Sequence, residues 1–156
     1  MQRVFVRRLE RGEYEKAMEL AWRVYQEFEA PDYSNDGVEA YYASIHTPSY
    51  WEQLCVYGAF ENHELVGILA TRDHGRHIAM FSVDGAHHRQ GIGKQLFRAA
   101  LCRCPGRTMT VRSSPYAVEV YRHLGFRPTG REKSENGIRY TPMRCHIRSF
   151  PVLRIR

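Results

Sequence analysis

The segment that most limits what this chain can become runs Val83-Asp84-Gly85-Ala86-His87-His88-Arg89-Gln90-Gly91-Ile92-Gly93-Lys94. The β-rich run His77 to Val83 leads into it. Gly91 to Arg103 leads out of it as an amphipathic helix, with Ile92, Leu96, Ala99 and Ala100 on one face and a stop at Cys104-Pro105-Gly106. A strand that turns through three glycines into a helix points backbone N–H groups out of the helix start, with the positive end of the dipole behind them. Such a turn is an anion site, because glycine lets the anion approach the amides and admits left-handed backbone. The spacing excludes two nucleotide motifs. A P-loop requires Ser or Thr after Gly-Lys, but Gln95 follows Gly93-Lys94, and His88 stands at its first glycine. A dinucleotide fingerprint requires a third glycine where Leu96 stands.

The rest of the chain supplies a sheet and helices around this turn. Val4 to Val6 alternates with basic residues and reads as a first strand. From Tyr14, the apolar positions Ala17, Met18, Ala21, Val24, Tyr25 and Phe28 recur at three and four, which makes an amphipathic helix that Ala30-Pro31 ends. Val38, Tyr41, Tyr42 and Ile45 mark a second, short helix before Thr47-Pro48. Leu54 to Phe60 and Leu65 to Ala70 are strands joined by the polar turn Glu61-Asn62-His63-Glu64, an antiparallel hairpin. Thr108 to Val111 is a short strand. Ser114 reads as a helix N-cap with Pro115 at the first helical position and Ala117, Val118, Tyr121 and Leu124 as the inward stripe. Gly125 supplies a left-handed cap, and Phe126 folds back onto the stripe. Two last strands bracket Asn136-Gly137. The order is β-α-α-β-β-β-α-β-α-β-β, in which hairpins give way to alternating strand and helix, so some pairing must be parallel. With 156 residues, 43% of them apolar, and no repeat or linker, a single domain over 1–156 is expected, with 148–156 reading as a C-terminal extension.

Charge divides the chain. Residues 1–71 carry net −6 and residues 72–156 net +12 within a total of +6. One-sign surfaces gather ligands of the other sign, so phosphate or nucleic acid suits the second half and cations suit the first. The Arg-rich end, with Arg139, Arg144, Arg148, Arg154 and Arg156, admits a nucleic-acid-binding module as a rival reading, although no nucleic-acid motif accompanies it. The alternating apolar and basic run over 150–156 admits an edge strand, a homodimer contact or a loose end. Cys55, Cys102, Cys104 and Cys145 form no C-x-x-C pair, and neighbouring loop histidines seldom reach one ion together. No metal site is therefore expected, and His87 and His88 are read as solvated, as are Glu61 and Glu64 at the hairpin tip. No apolar stretch approaches the ~20 residues of a membrane helix, and the amino terminus lacks a secretory h-region. The expectation is a cytoplasmic protein that does not engage membranes.

His88-Arg89-Gln90-Gly91-Ile92-Gly93 resembles the acetyl-CoA loop of the GCN5-related N-acetyltransferases (GNAT), Arg/Gln-x-x-Gly-x-Gly/Ala, with His88 where Arg or Gln is usual. Ser114-Pro115-Tyr116-Ala117-Val118-Glu119-Val120-Tyr121-Arg122-His123-Leu124-Gly125-Phe126 resembles the family's second signature, Asn-x-x-Ala-x-x-x-Tyr-x-x-x-Gly-Phe, with Ser114 in place of Asn. Each motif alone is weak, but the two in order with a strand between them are specific.

The resemblance covers nearly the whole chain. It implies an α/β (α+β) fold with a mixed central sheet of about six to seven strands and helices on both faces. It also implies transfer of an acetyl group from acetyl-CoA, as co-substrate and without a metal, to a primary amine of a small molecule or peptide by direct attack. The implied cofactor site comprises Phe81, Ser82, Val83, His88, Arg89, Gln90, Gly91, Ile92, Gly93, Lys94, Ser114 and Tyr121. The pyrophosphate would rest on the amides of Arg89 to Lys94, and the pantetheine would pair with Phe81 to Val83 as an added strand. Tyr121 holds the position of the family's general acid. The family's acceptor site is formed by the first two helices and their connection, where Phe28, Asp32 and Tyr33 suit a cationic amine. The resemblance assigns no general base here, and a non-catalytic CoA-binding sensor on the same loop is an alternative reading.

Overall fold

The computed structural model describes residues 3–147, so Arg148, Arg154, Arg156 and the run over 150–156 lie outside the described residues. In chain order the elements are β1 (Val4–Arg8), α1 (Tyr14–Phe28), α2 (Asn35–Ile45), α3 (Pro48–Glu52), β2 (Cys55–Glu61), β3 (Glu64–Arg72) and β4 (His77–Val83). They continue with α4 (Ile92–Cys102), β5 (Thr108–Ser113), α5 (Val118–His123), β6 (Arg127–Pro128), β7 (Lys133–Glu135) and β8 (Ile138–His146). The strands lie in the order β1-β2-β3-β4-β5-β8-β6, with β7 paired to β8. Every pairing is antiparallel except β4 with β5.

Helices cover both faces of this sheet, as expected. On one face α1 buries Ala17, Leu20, Ala21 and Val24 against Val56, Ile68, Ala70 and Met80. On the other, Leu96, Phe97 and Ala100 of α4 and Tyr121 of α5 pack with Met109, Val111 and Phe126. The β2–β3 turn holds Asn62 and His63 at φ 51° and 67°. Two successive left-handed residues form the tight turn that follows the twist of a hairpin.

Two local expectations need correction. A third short helix, α3, stands where Pro48 reads as a terminator. Proline suits the first helical turn as well as the residue past a helix, and the buried Trp51 fixes the new turn by donating its indole N–H to the Ile45 carbonyl at 2.6 Å. The helix expected from Pro115 begins at Val118. Residues 115–117 form a turn instead, which Ser114 Oγ still caps by accepting the Ala117 N–H at 3.3 Å. Seven strands follow one another across the sheet, within the expected six to seven, and β7 pairs beside β8; β6 is only two residues long, too short for alternation to reveal.

One irregularity opens the sheet. Ala70 faces Met80 but Thr71 faces Ile78, so Ala79 is an extra residue in β4. A bulge of this kind bends its strand and raises the local twist. β4 pairs with β5 only at His77 and Ile78, while β5 pairs with β8 over its whole length. From Ala79 onward β4 therefore diverges from its parallel neighbour, and a crevice opens beyond the carboxyl ends of the two strands, where ligands of open α/β sheets bind.

Candidate functional site

The anion loop sits at the mouth of that crevice. Arg89 adopts φ 64° and Gly91 φ 80° before α4 starts at Ile92. Left-handed residues alternating with ordinary ones turn successive amides toward one point, which makes an anion-binding concavity. The two glycines serve different ends. A Cβ on Gly91 would meet nothing within 4 Å, so its place is dictated by backbone conformation and by open space in front of the amides. A Cβ on Gly93 would lie 3.2 Å from the Phe81 ring, so Gly93 lets α4 close onto β4.

A cleft of about 440 Å³ extends from this loop. Of the sequence-named residues, Phe28, Phe81, Val83, His88, Arg89, Gly91, Ile92, Gly93 and Tyr121 line it together. A second cavity of about 70 Å³ lies where β4 and β5 part, and Ser82 and Ser114 line it with Tyr41 and Arg112. The two cavities share Glu29, Phe81, Ala117 and Tyr121. Gln90 and Lys94 are exposed at the start of α4 and line neither cavity. Asp32 and Tyr33 also line neither: the Asp32 carbonyl accepts a bond from Arg139 at 3.4 Å, and Tyr33 packs against Tyr25 at 5.5 Å between ring centroids. Glu29, Tyr41 and Tyr116 hold the wall in their stead, and Tyr116 packs against Phe28 at 5.2 Å.

Tyr121 is fixed by the closure of its helix. Phe126 N–H donates to the Tyr121 carbonyl at 2.9 Å and Gly125 N–H to the Arg122 carbonyl at 3.0 Å, with Gly125 at φ 103°. This pair of bonds closes the helix and brings Phe126 edge-on to the Tyr121 ring at 5.4 Å. Phe81 meets the same ring at 5.9 Å. Burial, with the nearby Glu29 charge adding to it, raises the Tyr121 hydroxyl well above its ordinary value, so it stays protonated. Burial also pushes the Glu29 carboxyl up to about 7 against an opposing contact with Ser114, and Asp32 adds to the rise. Glu29 stands just past the last turn of α1, at the negative end of the helix dipole, which disfavours a carboxylate further.

The loop histidines are not solvated. His88 donates from Nε2 to the Val83 carbonyl at 2.7 Å and packs against Phe28 at 4.7 Å. His87 spans two carboxylates, with Nδ1 2.9 Å from Asp84 Oδ2 and Nε2 2.9 Å from Glu61 Oε1. Arg23 on α1 closes on the other Asp84 oxygen at 2.6 Å. The hydrogen bonds that His87 donates to Asp84 and then to Glu61 raise its pKa. Glu61 is correspondingly buried, at 7% exposure, because a strand end that reads as a tip in sequence lies beneath the loop that carries His87. Glu64 is exposed as expected. Among the described residues, no group of three or more His, Cys, Asp or Glu is arranged to hold a metal ion, and no helix is long and apolar enough to cross a membrane.

The profile of the acetyltransferase (GNAT) domain matches residues 29–147, about three quarters of the chain. The chain belongs to the GNAT acetyltransferase family. It is accordingly an acyltransferase of the N-acetyltransferase type. A GCN5-related N-acetyltransferase from Rhodopseudomonas palustris is similar in structure, with TM-score 0.78 and 19% identity over 92% of this chain and 95% of that one. The PaiA N-acetyltransferase from Thermoplasma acidophilum, solved with coenzyme A, gives TM-score 0.70 and 15% identity over 92% and 99%. FeeM, an N-acyl amino acid synthase from uncultured soil microbes, gives TM-score 0.67 and 15% identity over 99% and 95%. No curated protein matches the chain in sequence. GNAT acetyltransferases use acetyl-CoA and act on amines. The fit of such a co-substrate here rests on the open space in front of Gly91 and on the edge of β4 beyond Ile78, which pairs with no strand among the described residues.

Proposed function

We propose that this GNAT protein transfers an acetyl group from acetyl-CoA to a primary amine by direct attack, with Tyr121 as general acid. The observation that carries the reading is the single cleft joining the left-handed loop at Arg89 and Gly91 to the buried, protonated hydroxyl of Tyr121. Acetyl-CoA brings a thioester, an acetyl carbon already activated toward nitrogen. The amides of residues 89–93, at the positive end of α4, hold its pyrophosphate. The free edge of β4 from Phe81 to Val83 receives the pantetheine as an added strand, although His88 occupies the Val83 carbonyl and leaves the remaining groups of that edge for the pairing.

A preorganised donor in a site closed to water favours charge that develops during reaction. Tyr121, walled by Phe81 and Phe126, gives its proton to the departing thiolate. The acceptor enters beside Glu29, Phe28, Tyr41 and Tyr116, a lining of aromatic faces around one carboxylate that suits a cationic amine on a small molecule or peptide.

Release of free coenzyme A thiol, followed with a panel of amino acids, polyamines, arylalkylamines and peptides, tests the reading. At least one cationic primary amine is expected to release thiol in step with its own acetylation. Stabilisation of the protein by acetyl-CoA with no release from any amine would overturn it.

A further inference from the structure

An amine arrives at neutral pH as an ammonium ion and must lose a proton before it attacks. We propose that Glu29 is the base that takes this proton, at the junction where the two cavities meet. The assignment rests on the transferase reading above.

Three observations converge on Glu29. Among the described residues it is the only carboxylate lining either cavity, and it lines both. Of the other acidic groups near the loop, Asp84 is held by Arg23 and His87 and Glu61 by His87, while Glu27, beside Gly85, lines neither cavity. Tyr121 also lines both cavities, so acid and base face one point, and the Glu29 charge reaches the Tyr121 hydroxyl. The groups around Glu29 come from every element packed against it. Tyr25 stands one turn earlier on α1, Asp32 and Tyr33 in the α1–α2 connection, Tyr41 on α2, and Ser114 and Tyr116 in the turn before α5. The Glu29 charge raises each of these four tyrosines, with burial first in every case. Arg112 of β5 borders the smaller cavity and supplies the one positive side chain there.

The smaller cavity holds about 70 Å³, room for the amino end of an acceptor and little more. A primary amine reaches the junction more readily through such a space than a crowded secondary one. Glu29 takes one proton from the ammonium nitrogen, which frees the lone pair for attack on the acetyl carbon. As the carbon–nitrogen bond forms and the carbon–sulfur bond breaks, the nitrogen gives up a second proton. Tyr121 donates to the leaving sulfur and recovers the nitrogen's second proton, while Glu29 passes the first one to solvent. The sum is one amide, one free thiol and one released proton.

Two measurements test the assignment. In the protein without acetyl-CoA, carbon-13 NMR of labelled glutamate carboxyls, with the Glu29 signal assigned by its absence in Glu29→Gln, should show a midpoint about 7. In turnover, kcat/KM of the wild type should fall as pH drops through that value. Glu29→Gln should lower kcat/KM about 100-fold and abolish that limb while keeping its stabilisation by acetyl-CoA. A Glu29 signal titrating in the ordinary carboxylate range, about 4, or a Glu29→Gln enzyme with rate and acidic limb intact, overturns the assignment and leaves the transferase reading standing. A wild type that releases no thiol with any amine overturns the transferase reading and this role together.

Discussion

The side of the cleft proposed for the cofactor and the side proposed for the acceptor are built from different material. On the proposed cofactor side the chemistry belongs to the backbone: left-handed turns at Arg89 and Gly91, the start of α4 and the edge of β4 beyond its pairing with β5. On the acceptor side it belongs to side chains gathered from distant parts of the chain, Glu29 from the end of α1, Tyr41 from α2, and Arg112 and Ser114 from β5 and the turn beyond it. A backbone site constrains the spacing of glycines and leaves a pattern in the sequence. A side-chain site constrains only where the elements end in space, and its members can stand anywhere along the chain. The same cleft can therefore keep its donor while its acceptor changes.

The largest expected effect falls where the two sides meet. Tyr121→Phe should lower kcat by about 100-fold to 10,000-fold with the acetyl-CoA dissociation constant unchanged, as read by steady-state kinetics beside calorimetry. Unchanged turnover would remove Tyr121 from the chemistry. Gly91→Val should act on the cofactor side alone. A β-branched residue at φ 80° is strained by about 1–3 kcal/mol, and its side chain enters the space before the amides. Acetyl-CoA affinity should drop on the order of 100-fold, measured by calorimetry, with the fold retained.

Gly37→Ala should act on the acceptor side alone. The added Cβ would collide with the Gly137 carbonyl, where the β7–β8 turn docks on the first turn of α2. Overpacking of this kind costs about 1–3 kcal/mol. The expected result is a rise of about tenfold in acceptor KM with acetyl-CoA affinity kept.

The smallest effect concerns the loop's anchor. Partners that raise the His87 pKa give a contribution complete below about pH 6.5 and lost as pH rises through the raised folded value. His87→Gln should lower stability by about 1–2 kcal/mol at pH 6 and by less at pH 9, read from thermal melts. An equal loss at both values would mean that the ring's charge plays no part.

What could be read in advance follows the same division. The alternation of His77 to Val83 and the three-and-four spacing from Tyr14 gave β4 and α1 their places, because both elements bury one face. The loop and the Tyr121 helix were legible through glycine spacing and the Gly125-Phe126 closure. The bulge at Ala79 was not, since an extra residue leaves no mark on composition, and it is the bulge that parts β4 from β5. Glu29 sat within the segment Phe28 to Asp36, yet nothing in its neighbours set it apart from Asp32. Only burial and the convergence of five tyrosines do that. His87 and Glu61, 26 residues apart, looked solvated because their contact is made by the fold alone.

The most direct test of how the two sides meet is a crystal structure of this protein with coenzyme A bound. The phosphates should lie against the amides of residues 89–93, the pantetheine along Phe81 to Val83, and the thiol within hydrogen-bond reach of the Tyr121 hydroxyl on the side facing Glu29. Phosphates seated away from that loop, or a thiol far from Tyr121, would contradict the account.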